Sequence, residues 1–323
     1  MLRCRVCSSA TEPVVSLGEL PPCGVFVQPE TDAETERYPL DLHFCPTCGL
    51  SQLGERVSPR EYFRRNAHLA SHSPATQDHH VHLAEELARQ KDKGCIVDIG
   101  CNDGMLLSCL AKRGYDVLGI DPSIPASKIT TARGIPIVTE FFEPDVVEKY
   151  NLCEKADIVC CTNTLQHVDD LHKCMDAVSM MLKKNGWFVI EVGHVASVLK
   201  EFHQIHHEYI TYFWSKPLCI LAGLHGFSIQ RMEMLPIHGG VLRAWLRKSS
   251  DPHCDALPEE KGLGSADTYR AFAESVPHTI HAIRECMATY TSDTNRMVGY
   301  GASARGLILA HVCGLGDFLD ACV

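Results

Sequence analysis

The apolar strand Cys95-Ile-Val-Asp-Ile99 runs directly into the loop Gly100-Cys-Asn-Asp-Gly104 and then into a helix over residues 105–112. No other stretch constrains the fold as much, because a short buried strand delivered by a glycine-bounded loop to a helix is the unit from which parallel sheets are built. The alternation then repeats. Strands read at 95–99, 116–120, 137–139, 157–161 and 186–191, with helical pattern between them. Two more, 227–235 and 242–248, have no helix between them and form an antiparallel closing hairpin around residues 236–241. The expected fold class is therefore α/β, a Rossmann-like sheet of seven strands. Ahead of it lies an amphipathic helix at 74–93. Behind it come a polar linker (249–265), a helix (266–292) and a second Rossmann-like start at 297–301 and 303–312, with a last strand near 319–323. That second lobe reads as cut short after its first βα unit. Three segments follow: 1–70, 71–250 and 251–323.

A chain of 323 residues with 45% hydrophobic content is long enough to bury two or three cores. Its formal charge of -10, with no basic run, argues against nucleic acid as the main partner. The first residues carry cysteines in place of an apolar signal core, and no stretch of 18 apolar residues suggests a membrane span, so a cytoplasmic protein is expected. The 17 cysteines are an odd number scattered through apolar runs, unlike a secreted disulfide framework. Cys95, Cys109, Cys160, Cys161 and Cys219 accordingly read as reduced core thiols.

Cys4-x-x-Cys7 and Cys45-x-x-Cys48 are different. Two two-residue-spaced knuckles offer four thiolates to one tetrahedral ion, and Pro46 and Gly49 suit the tight turn of the second. A redox pair would need a βαβ context, which this region lacks. The expectation is structural zinc, closed by four sulfurs, that holds a lobe together and does no chemistry.

Gly100 lets backbone approach closely at a helix N-terminus, whose free amides suit an anionic carboxylate. Asp121 ends the second strand about twenty residues on, where an acid accepts ribose hydroxyls, although Asp121-Pro122 also reads as a plain turn. Phe141 and Phe142, after the third strand, either flank an adenine or belong to the core. Asn163 and His167 lie at the carboxyl end of the fourth strand, where ligands of open α/β sheets sit.

These motifs resemble the class I methyltransferases, and their full series resembles the deoxysugar C-methyltransferases that act on nucleotide-linked keto sugars. The two knuckles resemble that family's zinc-binding domain. Val97-Asp-Ile-Gly-Cys-Asn-Asp-Gly104 resembles its cofactor loop, which implies S-adenosylmethionine held by Asp98, Gly100, Asn102 and Asp103 together with Asp121 and Asn163. Thr162-Asn-Thr-Leu-Gln-His167, Gln204-Ile-His-His-Glu-Tyr209, His238-Gly-Gly-Val-Leu-Arg243 and Val298-Gly-Tyr-Gly-Ala-Ser-Ala-Arg305 follow in the family's order. The resemblance implies removal of the acidic proton beside a ketone, stabilisation of the enolate, and attack of its carbon on the methyl group.

One departure bears on that chemistry. The family has a tyrosine and a histidine three residues apart around Glu208; here His206 stands for the tyrosine and Tyr209 for the histidine. A histidine is poised near neutral pH and a tyrosine is not, so His206 or His207 is favoured as base, with Glu208 orienting a neighbour. His68 stands where the family has another tyrosine. His238, Gly239, Gly240 and Arg243 suit a sugar phosphate, or else only a hairpin turn, and Arg305 a diphosphate, or else only a helix cap. His203, His206 and His207 with Glu201 and Glu208 are a conceivable second metal set. His79, His80 and His82 read as a solvated helix face, and His167 as a pocket residue or a hydrogen-bonded core one. Methyl transfer to O or N of another small metabolite, or a non-catalytic accessory protein that keeps zinc and cofactor, are the competing functions.

Overall fold

The computed structural model describes residues 2–23, 36–54, 57–64, 69–254, 257, 260, 262–291, 296–301 and 303–322. In chain order, β1 (Glu12–Leu20), β2 (Tyr38–Phe44) and β3 (Ser51–Leu53) precede the helices α1 (Pro59–Phe63) and α2 (Pro74–Gln90). The βα units are β4 (Cys95–Ile99), α3 (Met105–Ala111), β5 (Asp116–Ile120), α4 (Ile124–Ala132), β6 (Ile137–Val138), α5 (Pro144–Lys149), β7 (Ala156–Thr162), α6 (Leu171–Met181) and β8 (Leu182–Gly193). After them come α7 (Val195–Val198), β9 (Thr211–Tyr212), α8 (Ser215–Leu224), β10 (Phe227–Leu235) and β11 (Val241–Lys248). The chain continues through α9 (Ala266–Tyr290), β12 (Val298–Gly299), α10 (Ala304–Val312) and β13 (Ala321–Cys322).

The main sheet has seven strands in the order β10-β11-β8-β7-β4-β5-β6, as the sequence pattern implies. β4 to β8 pair in parallel, and β11 runs antiparallel to both β8 and β10. β7 is buried along its whole length, as a central strand covered on both faces must be, which explains its apolar run Ala-Asp-Ile-Val-Cys-Cys. The helices start where their sequence signals stand. Ser73 precedes Pro74, and its hydroxyl accepts from Thr76 N at 3.4 Å; Asp170 accepts from Lys173 N at 3.0 Å to open α6.

The N-terminal strands do not form an isolated lobe. β3 pairs with β9, so one four-stranded sheet, β1-β2-β3-β9, joins the first fifty residues to the segment after β8. Leu40, Leu42 and Leu53 of that sheet share a core with Phe202 and Ile205 and with Phe272 and Ile308 of α9 and α10. The knuckle residues Cys4, Cys45, Cys48 and Leu50 are buried in the core that holds Phe213, Leu218 of α8 and the main-sheet residues Phe188 and Ile190. A lobe too small to be stable alone thus borrows two cores.

One thiol expectation is corrected. Cys219 of α8 is not a reduced core cysteine but is bonded to Cys254, with Cα atoms 5.6 Å apart, because the polar linker folds back along α8. The other cysteines of the described residues are free. Among those residues, no helix is long and apolar enough to cross a membrane.

Candidate active site and zinc centre

The sulfurs of Cys4, Cys7, Cys45 and Cys48 all lie within 4.8 Å of one another, with Cys4–Cys48 at 3.4 Å and Cys7–Cys45 at 3.5 Å. Val6 N points at Cys4 Sγ from 3.4 Å, as a knuckle's backbone does toward a thiolate. Four converging sulfurs fit tetrahedral zinc. Gly49 has φ +84°, and a Cβ there would lie 2.6 Å from the Trp214 ring, whose Nε1 donates to Gly49 O at 2.7 Å. The second knuckle is thereby clamped to the residue that precedes α8.

At the carboxyl ends of β4, β5 and β7 the chain builds a cleft. Gly100, with φ +71°, faces Thr164 so closely that any side chain would strike the Thr164 hydroxyl. Asp121 is buried, and its carboxylate accepts from Asn102 N and Ser123 N, both at 2.8 Å, which fixes it at the end of β5. Asp98 is fully buried and its Oδ1 has no hydrogen-bond partner among the described residues. Burial raises its carboxyl well above the ordinary range, with Asp121 and Glu191 adding to the rise. An orphaned buried carboxylate oxygen beside a glycine loop and an oriented acid is a donor set that fits the amino-acid and ribose ends of S-adenosylmethionine. Asn102 and Asp103 are partly occupied from above: Asn102 Oδ1 accepts from Ala70 N at 2.9 Å, and Asp103 Oδ2 from Ser71 N and Arg133. Asn163, with φ +50°, donates its N–H to Glu191 O. Phe142 packs on the core, whereas Phe141 lies between the Arg60 and Arg64 guanidiniums at 5.0 and 5.8 Å.

A second cluster forms where the segment before β9 meets the loop after β7. The Tyr209 ring lies 4.3 Å from His206 and 4.9 Å from His167, centroid to centroid. His206 is buried, and its Nδ1 has no hydrogen-bond partner among the described residues; burial, then His167, Arg305 and His207, lowers it to about 3. His167 is held by the Glu208 carbonyl at 2.6 Å, and burial lowers it to about 4. Both imidazoles are neutral at pH 7. Burial raises Tyr209 above the ordinary tyrosine range. Glu208 is also raised by burial, and its carboxylate meets the Tyr62 hydroxyl, which also touches Cys23 O.

His207 turns away from this cluster and hydrogen-bonds Tyr38 O at 3.1 Å. With His206 and His207 on opposite sides, the conceivable second metal set is not assembled among the described residues. His238, Gly239 and Gly240 all have positive φ and form the β10–β11 turn, whose His238 O accepts from Arg305 at 3.1 Å. That bond joins the first turn of α10 to the β10–β11 turn. Arg243 does not join the Tyr209 cluster: it is buried on β11 and bound to Glu191 Oε1 at 2.6 Å and Glu86 at 3.2 Å. His68 lies outside the described residues.

Three family profiles match the chain: a zinc binding domain over residues 4–63, a methyltransferase domain over 72–230 and a C-methyltransferase C-terminal domain over 236–323. The C-methyltransferase NovU of Streptomyces niveus is 30% identical over 97% of this chain and 78% of its own length. The chain belongs to the S-adenosylmethionine-dependent C-methyltransferases. A ubiquinone biosynthesis O-methyltransferase from Actinobacillus pleuropneumoniae is 32% identical over 55% of this chain and 86% of its own. Among solved structures, magnesium protoporphyrin IX methyltransferase from Synechocystis PCC 6803 with bound SAM aligns at 16% identity and TM-score 0.42, over 54% of this chain and 79% of that one.

Several groups of this C-methyltransferase escaped the sequence reading. His79 and His80 are not a solvated face, since α2 crosses the end of the sheet and turns both inward. His79 Nε2 lies 2.8 Å from Glu191 Oε2, and burial lowers His80 to about 4. Burial pushes Glu191 up, but His79 and Arg243 hold it below the ordinary range. His194 and Glu260 form a second buried pair at 2.7 Å, which also takes Ser215 N and so ties the linker to α8. A charged residue in an otherwise apolar strand was the available signal for Glu191. Nothing in the spacing of Tyr62 or Glu260 marked either one.

Proposed function

We propose that this chain transfers the methyl group of S-adenosylmethionine to the carbon beside the ketone of a nucleotide-linked deoxysugar. The carrying observation is His206, a buried neutral imidazole with an unpartnered nitrogen, packed on Tyr209 at the border between the methyltransferase sheet and the C-methyltransferase C-terminal region. A carbon acid needs a positioned base, whereas an O or N acceptor needs mainly orientation. The bound cofactor supplies an electrophilic methyl group. Asp98, the Gly100 loop and Asp121 would hold it. His206 accepts the proton from the carbon, the C–H electrons move toward the carbonyl oxygen, and the Tyr209 hydroxyl donates a hydrogen bond to that oxygen. The exchange of histidine and tyrosine along the chain leaves both side chains facing one another across 4.3 Å, so a base and a donor are both still present.

Incubating the protein with methyl-labelled cofactor and a pool of nucleotide-linked keto sugars tests this. We expect label on carbon, and a loss of about 100-fold or more in kcat for His206→Asn with cofactor affinity retained. Label on oxygen or nitrogen, or cofactor binding with no transfer to any acceptor, rejects the proposal.

A further inference from the structure

α1 is pinned between the two halves of the site. Arg60 pairs with Glu143 at 2.5 Å, Ile124 N donates to Arg64 O at 3.2 Å, and both guanidiniums flank Phe141, which fixes the helix against the cofactor cleft. Its last turn meets the acceptor cluster. The Phe63 ring lies 5.0 Å from the His167 ring, and the Tyr62 hydroxyl reaches both Glu208 Oε1 and Cys23 O.

Those two contacts constrain where the protons lie. A carbonyl oxygen only accepts, and a phenol has one proton, aimed along one direction. If Glu208 were a carboxylate, both contacts would depend on that single proton, and one of them would bring lone pairs together. A neutral Glu208 puts a proton in each: Tyr62 donates to Cys23 O, and the carboxylic O–H of Glu208 donates to the Tyr62 oxygen. The surroundings favour the same form. No lysine or arginine is bonded to the Glu208 carboxyl group among the described residues, and its burial opposes ionisation. The groups nearby are neutral as well, namely His167, lowered to about 4, the Cys23 thiol, pushed up to about 12 by burial and then by Glu208, and the phenols of Tyr209 and Tyr212.

Glu208 also fixes the tautomer of a neighbour. Its backbone oxygen only accepts, so the proton of the 2.6 Å bond to His167 sits on Nδ1 of that ring. Tyr62 thereby reaches Tyr209 through Glu208 and the His167 ring, whose centroid is 4.9 Å from that of Tyr209.

We propose that Glu208 works as a carboxylic acid that donates a hydrogen bond to the Tyr62 hydroxyl, so that the residue before Tyr209 adds no negative charge where the enolate oxygen develops its own. The inference deepens the proposed function and rests on it for the identity of that oxygen. A carboxylate in this place would oppose the developing charge, because like charges at short range disfavour one another. Tyr62 is a positioning residue that acts through Glu208, and Glu208 keeps its proton throughout the turnover while His206 takes the one from carbon.

Infrared spectra of the full-length zinc-loaded protein, with isotope-labelled glutamate carboxyl groups and no acceptor present, read that proton directly. At neutral pH the difference between wild type and Glu208→Gln should contain a carboxylic C=O stretch that shifts in heavy water; a carboxylate stretch in its place overturns the proposal. Tyr62→Phe removes the acceptor of the proton, so the band should persist and move to higher frequency. An unmoved band overturns the role of Tyr62, and this comparison holds even where Glu208→Gln fails to fold. In steady-state kinetics Tyr62→Phe should lower kcat by about tenfold or more with cofactor affinity retained. A change in KM alone makes Tyr62 an acceptor-binding group and overturns its positioning role. As pH is raised, kcat and the acid band should fall together, and full activity after the band has gone overturns the proposal as well. The infrared reading needs no acceptor, so a wild-type protein that methylates no keto sugar counts against the proposed function and leaves the proton on Glu208 to be decided by its band.

Discussion

The cofactor cleft and the acceptor cluster differ in how their buried polar groups are held, by paired charges in the first and by ring packing in the second. In the cleft, Asp121 accepts two backbone N–H groups, Glu191 is bound by His79 and Arg243, and Asp103 Oδ2 by Ser71 and Arg133, while Asp98 Oδ1 and Asp103 Oδ1 have no partner among the described residues. These groups sit on strand ends of a single sheet. In the cluster, Nδ1 of His206 has no partner among the described residues. Its members come from the loop after β7 and the segment before β9. A satisfied network fixes geometry, whereas an unpartnered buried donor or acceptor costs folding free energy and is retained where a ligand will complete it. Stability should therefore reside in the first region and reactivity in the second.

The largest expected effect tests whether the cluster depends on the zinc lobe. β9 begins two residues after Tyr209 and pairs with β3, which follows the second knuckle, so the zinc lobe and the proposed catalytic segment are joined through one sheet. Zinc removal by a chelator, or Cys45→Ser, should forfeit the metal's folding contribution, on the order of 10 kcal/mol, and unfold the lobe. Transfer should be lost while the main sheet still binds cofactor. Metal analysis, circular dichroism and cofactor titration on one sample would decide it; a chelated protein of unchanged activity breaks the link.

The next effect lies in the cleft. Glu191→Ala leaves buried His79 without its carboxylate and Arg243 with only Glu86 and Glu233, and breaking one partner of a buried pair typically costs about 3 to 5 kcal/mol. Urea denaturation should show that loss, and the shape-conserving Glu191→Gln a smaller one. If His206→Asn proves as destabilising as Glu191→Ala, the contrast between the two regions fails.

Legibility in the sequence follows the same division. The seven-stranded sheet, its closing hairpin, the four sulfurs and the acid at the end of β5 are each specified by local pattern, namely apolar runs, turn residues and two-residue cysteine spacing. The direction of a side chain is not local. His206 and His207 are adjacent and equally histidine, yet one faces Tyr209 and the other Tyr38 O, because β9 pairs with β3 and fixes which residue points inward. Arg243 and Arg305 each follow a glycine-rich turn, but only Arg305 escapes the carboxylates of α2 and β8. The Cys219–Cys254 bond depends on the path of a linker that carries no periodicity.

The smallest expected effect separates the regions by pH. His206 titrates at about 3 in the folded chain and at its ordinary 6.5 when unfolded. Below pH 6.5 the unfolded chain therefore binds a proton that the folded one refuses, and the stability present above 6.5 falls as pH drops toward 3. Asp157, held at about 2 by Lys183 and Lys91 against its own burial, loses its contribution only below the ordinary carboxylate value of 3.8. Between pH 6.5 and 5 the loss thus belongs to buried histidines. His206→Asn removes the group without breaking a hydrogen bond of its ring, so the variant should match the wild type in stability near pH 7 and exceed it by about 2 kcal/mol at pH 5, from one and a half pH units at about 1.4 kcal/mol each. Chemical denaturation at the two pH values measures this. A gap that does not open on acidification means that His206 already has a proton partner in solution, and a base with its lone pair engaged could not take a proton from carbon.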